Sequence, residues 1–389
     1  MAKLFLKKNE DKRIRRGHLW VFSNEVLKIE GEAENGDVVS LCDAKGSELG
    51  KGFYNKNSLI TLRLLNKSFN GDFYSYSKQM ILNALNTRKI FYPKRNSYRL
   101  IFSESDFMPG LIIDKYNDSY VLQVYSYGME KNIGSLENVL INELKAKNIF
   151  TKNEPYFRKL EGLPEKDKTY IGEISSELID DGKIKYKIDF SKSQKTGFYL
   201  DQSDNREFIE RIVSGKSVLD AFCNSGGFGL HAAYSGAESV TFIDSSETEI
   251  ENAKSNFELN SFKTQAEFIT VDVFNYLEKC IKENKKFDVV IIDPPAFAKS
   301  RKSIPTAIKG YVKLNRLALS IVNEGGFLAS SSCSHHVKHA DFIEAVNKAS
   351  VKADRQIQLI HSAGASLDHP QIPAMEETSY LKFAVIKVF

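Results

Sequence analysis

The 389-residue sequence is poor in cysteine: it has four, at positions 42, 223, 280 and 333. None sits close to another, so there is no ligand pair of Cys-x-x-Cys type and no disulfide framework. No apolar run approaches ~18 residues, so no membrane-spanning helix is expected. The opening stretch, MAKLFLKKNEDKRIRR, turns charged after six residues and offers no hydrophobic region for a secretory signal. A reducing cytoplasm is the expected location. Charge of one sign is scarce too. The net value is +4, and composition by itself does not argue for nucleic acid. Internal repeats and low-complexity tracts are also lacking.

The sequence does hold 42% apolar and 27% charged residues, the balance of a globular chain too long for one core. Residues 1–72 read as short β-elements with turn punctuation, as in GDVVSLCDAKGSELGKGFYN, and suggest a small β-barrel. Its first residues carry Lys3, Lys7, Lys8, Lys12, Arg13, Arg15 and Arg16 against Glu10 and Asp11. That is a basic arm able to neutralise phosphates, or else a solvated face. Residues 73–190 read as a central α+β domain. Met80, Ile81, Leu85 and Ile90 predict a helix over 73–91, and a second helix is expected over 131–147. Between and after them lie strand-like runs such as YRLIFSES, GLIIDKY and SYVLQVYS.

Residues 191–389 change pattern. SVLDAF, SVTFID, AEFITVD, FDVVIID, GGFLASSS, RQIQLIHS and YLKFAVIKVF alternate with helical stretches. This is the signature of a doubly wound, mostly parallel α/β sheet of Rossmann-like form. Ligands in such sheets bind beyond the carboxyl ends of the strands, so the residues after each apolar run are the candidates. Asp220 is followed by Gly226, Gly227 and Gly229, a loop lacking the G-x-G-x-x-G spacing of a dinucleotide site. Asp244 could accept from ribose hydroxyls or stand beside a helix cap. Asp272 could meet an adenine amino group with Val273 flanking the ring, or could cap a helix. Asp293 is presented by two prolines directly after a strand. Cys333, inside SSSCSHH, follows the next strand. One cysteine beside His335 and His336 is a poor metal set, and no metal is expected. An inert thiol is the ordinary state of a lone cysteine, but its position favours a role.

In this order, VLDAFCNSGGFGLHAA, FIDSS, VDVF, DVVIIDPPAFAKS and SSSCSHH resemble the motifs of class I S-adenosylmethionine-dependent methyltransferases. With KTGFYLDQSDNR before them, and RIRRGHLWVFSNEV near the start, the chain resembles one family more narrowly. This is the bacterial 23S ribosomal RNA cytosine-5 methyltransferases that carry an N-terminal PUA domain. The resemblance implies a PUA-like RNA-binding barrel, a central domain and a methyltransferase domain with a seven-stranded sheet. It also implies S-adenosyl-L-methionine as cofactor and large-subunit ribosomal RNA as partner, with no membrane association and a homodimer left open. By the same resemblance Lys195, Thr196, Gly197, Phe198, Asp201, Gln202 and Arg206 frame the cofactor side of the cleft. Asp220, Phe222, Gly226, Asp244, Asp272, Val273 and Asp293 line the cofactor pocket. Cys333 is the implied nucleophile, with Asp293 as its catalytic companion. Where other RNA cytosine-5 families carry a second cysteine, this chain has Ala296, so a two-cysteine release scheme does not transfer. Related guanine-modifying enzymes lack a cysteine at the position of Cys333. Tyr311, Arg316 and His369 are secondary candidates near the substrate, or structural residues. Competing readings are methylation of guanine or adenine with Cys333 inert, a non-catalytic RNA-binding protein, and an NAD oxidoreductase, against which the missing glycine pattern speaks.

Overall fold

The computed structural model describes residues 1–174, 176–191, 195–298 and 300–389. The chain forms two compact units: residues 1–181, 188–200 and 367–378 make the first, and 182–187, 201–366 and 379–389 the second. Among the described residues no helix is long and apolar enough to cross a membrane.

The first unit opens with a six-stranded sheet. Its strands are β1 (Lys3–Leu6), β2 (Trp20–Phe22), β3 (Val26–Glu30), β4 (Val38–Cys42), β5 (Glu48–Tyr54) and β6 (Ile60–Leu64), ordered β2-β6-β5-β4-β1-β3. Their inward residues Leu4, Leu6, Val21, Val39, Leu41 and Leu62 are fully buried. A helix over Phe73–Phe91 follows, with Asp72 at its N-cap accepting from the amides of Tyr74 and Ser75. Met80 and Ile81 face the core as their spacing predicts, but Ile90 is 74% exposed because it lies in the fraying last turn. The helix expected over 131–147 is instead two, Tyr127–Lys131 and Ile133–Leu144, the second stopped by Lys145 in the left-handed region. A five-stranded sheet completes this part: β7 (Ser97–Phe102), β8 (Leu111–Tyr116), β9 (Ser119–Val124), β10 (Asn148–Thr151) and β11 (Thr169–Ile171).

The segments 1–72 and 73–190 thus lie largely in one unit. Phe53 of β5 packs on Phe73 and is covered so closely by Gly128 that a Cβ there would fall 2.0 Å from its ring. Arg63, from β6, is buried between Glu104 and Glu161 at 2.9 Å each. Phe53 and Leu65 of the first segment share one apolar cluster with Phe73, Tyr76 and Leu111 of the second, so the two segments have a common core.

Two strands, β12 (Ser176–Asp180) and β13 (Lys185–Asp189), lead toward the second unit. Its seven-stranded sheet comprises β14 (Ser217–Ala221), β15 (Ser239–Asp244), β16 (Gln265–Thr270), β17 (Phe287–Ile292), β18 (Val322–Ser332), β19 (Ile357–Ala363) and β20 (Lys382–Val388). The order is β16-β15-β14-β17-β18-β20-β19. β14 to β18 are mutually parallel, and β20 runs antiparallel to both of its neighbours. The near-continuous apolar runs of β14 and β17 are explained by burial on both faces. Every parallel strand delivers its carboxyl end to one edge, and β20 starts at that same edge.

Candidate active site

Beyond β14 the chain turns through Phe222, Asn224 and Gly226, whose φ values are 62°, 48° and 90°. Gly226 then caps the helix Gly227–Tyr234. That helix beds against β15 because Gly229 has no side chain: a Cβ there would lie 2.2 Å from the Phe242 ring. Asp220 is 1% exposed. Its Oδ2 accepts the Gly229 amide at 2.7 Å, while its Oδ1 is buried with no partner among the described residues. Burial raises its carboxyl to about 7, the Gly229 bond opposes this, and the nearby Asp293 charge adds to it.

Asp244 ends β15 and braces this loop. It accepts the amide of Asn224 at 3.1 Å and that of Ser246 at 3.0 Å. Ser246 is the N-cap of the following helix. Each carboxylate oxygen thus keeps a lone pair for a further donor. Asp272 accepts the Asn275 amide at 2.9 Å and is a helix N-cap. Val273, the first residue of that helix, is 1% exposed and packs in the same core cluster as Phe222.

Asp293 follows β17. Gln202 Nε2 donates to its Oδ1 at 3.0 Å and to Ser331 Oγ at 3.2 Å, and Asn205 fixes the amide by donating to Gln202 Oε1 at 2.7 Å. Burial pushes the Asp293 carboxyl up to about 7; the Asp201 charge raises it further, while Arg206 lowers it. Asp201 accepts from the Tyr380 hydroxyl at 2.5 Å. Arg206, 5% exposed, lies where Gly227 leaves room, since a Cβ there would come within 2.5 Å of its Nε. Asp201, Gln202, Arg206 and Asp220, all buried, therefore form one group with the half-buried Asp293.

Cys333 stands just past β18, next to β17 in the sheet, with Sγ 3.8 Å from the Pro294 carbonyl. Cys42, Cys223 and Cys280 are buried, whereas Cys333 is half-buried. Its neighbours in sequence are pinned. Ser332 Oγ donates to the Tyr311 hydroxyl at 2.8 Å, that hydroxyl lies 2.9 Å from Ser334 Oγ, and Ser334 Oγ accepts the Ala298 amide at 3.1 Å. The serines beside Cys333 are thus scaffold. Tyr311 is fully buried in this clamp. Arg316 lies half-buried on the same helix, Ile304–Ser320.

One residue escaped the sequence reading. Lys382 opens β20 opposite Ser332, is 4% exposed, and donates to the carbonyls of Ser334 at 2.6 Å and Tyr380 at 2.7 Å. Burial lowers its ammonium to about 8, opposed by the charge of Cys333. The available signal was a lysine inside the apolar run YLKFAVIKVF.

Other expected residues belong to the first unit. Thr196 donates to Asp114 at 2.5 Å, the Phe198 amide donates to the Tyr116 hydroxyl at 3.2 Å, and Gly197 (φ 130°) lies against Phe190. The Lys195 ammonium sits 5.2 Å from the Tyr199 ring centroid. His369 bonds Asp368 at 2.7 Å and packs on Phe102.

Comparison with known proteins bears on this geometry. A PUA-like domain model matches residues 4–67, and an S-adenosylmethionine-dependent methyltransferase model matches residues 172–379. A protein of Aliivibrio fischeri named ribosomal RNA large subunit methyltransferase I is 37% identical, covering 97% of each chain. One of the same name from Vibrio campbellii is 35% identical, over 100% of this chain and 99% of its own. Among solved structures, a protein from Streptococcus mutans assigned as a SAM-dependent methyltransferase superposes with a TM-score of 0.83 at 22% identity over all of both chains. A methyltransferase complexed with SAH superposes with a TM-score of 0.85, also at 22% identity over all of both chains. At that identity the superpositions speak for the fold.

The residues fit the cofactor of this class. The glycine turn leaves a backbone-lined approach, and the buried Asp220 Oδ1 waits for a donor. Two carboxyls near pKa 7 provide an acidic lining for a ligand bearing sulfonium and ammonium charge. With the methyltransferase motifs in place on this sheet edge and full-length relatives of one name, the chain belongs to the ribosomal RNA large subunit methyltransferase I family, whose cofactor is S-adenosylmethionine.

Proposed function

We propose that the protein methylates C5 of a cytosine in large-subunit ribosomal RNA through a covalent bond between Cys333 and C6. The observation that carries this reading is the position of Cys333. It is the half-buried thiol at the carboxyl end of β18, next to the Asp-Pro-Pro turn and on the edge that carries the cofactor carboxylates. The names of the full-length relatives support the RNA substrate, and the PUA-like match supports the N-terminal sheet as an RNA-binding part.

Bound cofactor supplies an electrophilic methyl. Asp244 accepts from the ribose hydroxyls, and Asp272 with Val273 flanks the adenine. Asp220, Phe222 and Gly226 line the rest of the pocket, and Asp201, Gln202 and Arg206 set its charge and hydrogen bonding. Cytosine C5 is a poor nucleophile, which is why a thiol is needed. Cys333 Sγ, as thiolate, bonds to C6 and leaves C5 electron-rich. Asp293 meets the N3/N4 edge, where a carboxyl near pKa 7 can donate when protonated or accept when ionised. After methylation the C5 proton passes to a base or to water, its electron pair re-forms the C5–C6 double bond, and the S–C6 bond breaks, freeing Cys333 as the thiolate.

RNA containing 5-fluorocytidine tests the scheme, because fluorine at C5 blocks the last step and leaves a protein–RNA adduct. The adduct is expected with the wild type and not with Cys333→Ser, which should also stop methyl transfer while leaving cofactor affinity nearly intact. Methyl transfer by Cys333→Ser at a comparable rate would overturn the scheme and point to guanine or adenine as target, with Cys333 inert.

A further inference from the structure

We infer that Lys382 is a cation that holds Cys333 as a thiolate, a positioning residue that acts on the sulfur rather than on the RNA. The inference rests on the reading of Cys333 as nucleophile. Its starting point is an anomaly: Lys382 is 4% exposed, yet its described partners are two backbone carbonyls and no carboxylate. A buried ammonium without a counter-charge is strongly unfavourable, so a neighbouring anion is called for. The antiparallel pairing of β20 with β18 sets Lys382 opposite Ser332, and its Nζ donates to the Ser334 carbonyl; these are the residues on either side of Cys333. The backbone on both sides of the thiol is thereby tied to this one lysine, Ser332 by strand pairing and Ser334 through the amine.

Proton bookkeeping agrees. A neutral amine has two N–H bonds and a lone pair, and an ammonium has three N–H bonds. The carbonyls of Ser334 and Tyr380 accept two N–H bonds in either state. The third position changes from lone pair to donor. The proton released when S–H breaks can therefore be held on Nζ as a third N–H, with both carbonyl bonds kept. Burial brings the amine down to about 8, close to the range of a thiol, so the exchange is nearly balanced.

The Tyr311 hydroxyl is engaged by Ser332 and Ser334, and burial raises its pKa. Tyr380 gives its hydroxyl to Asp201, and His335 is exposed and stacked on the Tyr380 ring at 5.0 Å. Lys338 is exposed. Asp293, on the β17 side, would oppose a thiolate when ionised.

The test is the pH dependence of iodoacetamide alkylation of Cys333 in the full-length protein, read by peptide mass mapping. Wild type should show a midpoint below the ordinary thiol value of ~8.5. Lys382→Met should move it up by about one pH unit or more, and Lys382→Arg should keep it low. A wild-type midpoint at or above ~8.5 overturns the inference even if Lys382→Met fails to fold, and so does a folded Lys382→Met with an unmoved midpoint. The 5-fluorocytidine adduct is scored separately. A low, Lys382-dependent midpoint with no adduct would remove the nucleophile and keep the pair; an adduct with an ordinary midpoint would do the reverse.

Discussion

Asp220 and Asp293 are carboxyls held by burial near pKa 7 at one sheet edge. Each binds its proton more tightly folded than unfolded. Their contribution to stability is thus full below the unfolded value of ~3.9 and is lost as pH rises through 7. A cationic ligand reverses the preference by favouring the ionised forms. S-adenosylmethionine should therefore bind more tightly at pH 8 than at pH 6, by on the order of tenfold, and release protons on binding at the lower pH. S-adenosylhomocysteine, without the sulfonium charge, should respond less. Calorimetry in buffers of different ionisation enthalpy measures both effects; a cofactor affinity flat with pH would place these carboxyls away from its charge. Asp244→Ala should weaken cofactor binding by about 1–3 kcal/mol in the same assay. These residues were legible in sequence because each closes or follows an apolar run in a parallel sheet. Lys382 was not, because its acceptor Ser334 is 48 residues away and only the antiparallel pairing brings the two together.

At the level of elements, seven runs of apolar residues marked the seven strands, but not their order. β20, last in the chain, inserts between β18 and β19, a placement that local patterning does not encode. Helix–strand packing was equally hidden: Gly229 reads as part of a glycine cluster, and its structural reason is Phe242. That ring stacks on Phe268 at 4.8 Å and has little freedom to yield. Gly229→Ala should cost about 1–3 kcal/mol in urea unfolding followed by circular dichroism. Gly134, exposed on a helix with no atom near its missing Cβ, is the contrast. Gly134→Ala should be neutral or stabilising by about 0.5 kcal/mol. Trp20, the sole tryptophan, lies in the first unit with Gly134, so its fluorescence follows that unit's transition. Equal destabilisation by both substitutions would mean that the Phe242 contact is not what excludes a side chain.

For the whole molecule the open matter is how a chain of net charge +4 holds a polyanion. The basic run at its start suggested an arm of seven cations, but the fold spends part of it on itself. Arg13 bonds Glu25 at 2.7 Å and the Trp20 carbonyl at 3.1 Å. Arg15 pairs with Asp11 at 2.5 Å and Asp43 at 2.8 Å, and Lys7 donates to the Asn24 carbonyl. Sequence shows the charges but not these partners, because Glu25 and Asp43 arrive through strand pairing. Lys8, Lys12 and Arg16 remain exposed and make no ion pair among the described residues. If the first unit grips RNA phosphates, these three contribute to the salt-dependent part, with the exposed Lys3 beside them. Replacing all three with alanine should weaken RNA binding at low salt. It should also flatten the slope of log affinity against log salt by up to about 2, at ~0.7 per phosphate contact on a single strand. Arg13→Ala should instead lower the thermal midpoint, since it strips the buried Glu25 carboxylate of its partner, with a smaller effect on the slope. Filter binding of ribosomal RNA fragments across a salt series decides between them. A triple variant with an unchanged slope would make the run a solvated face and leave phosphate binding to the second unit.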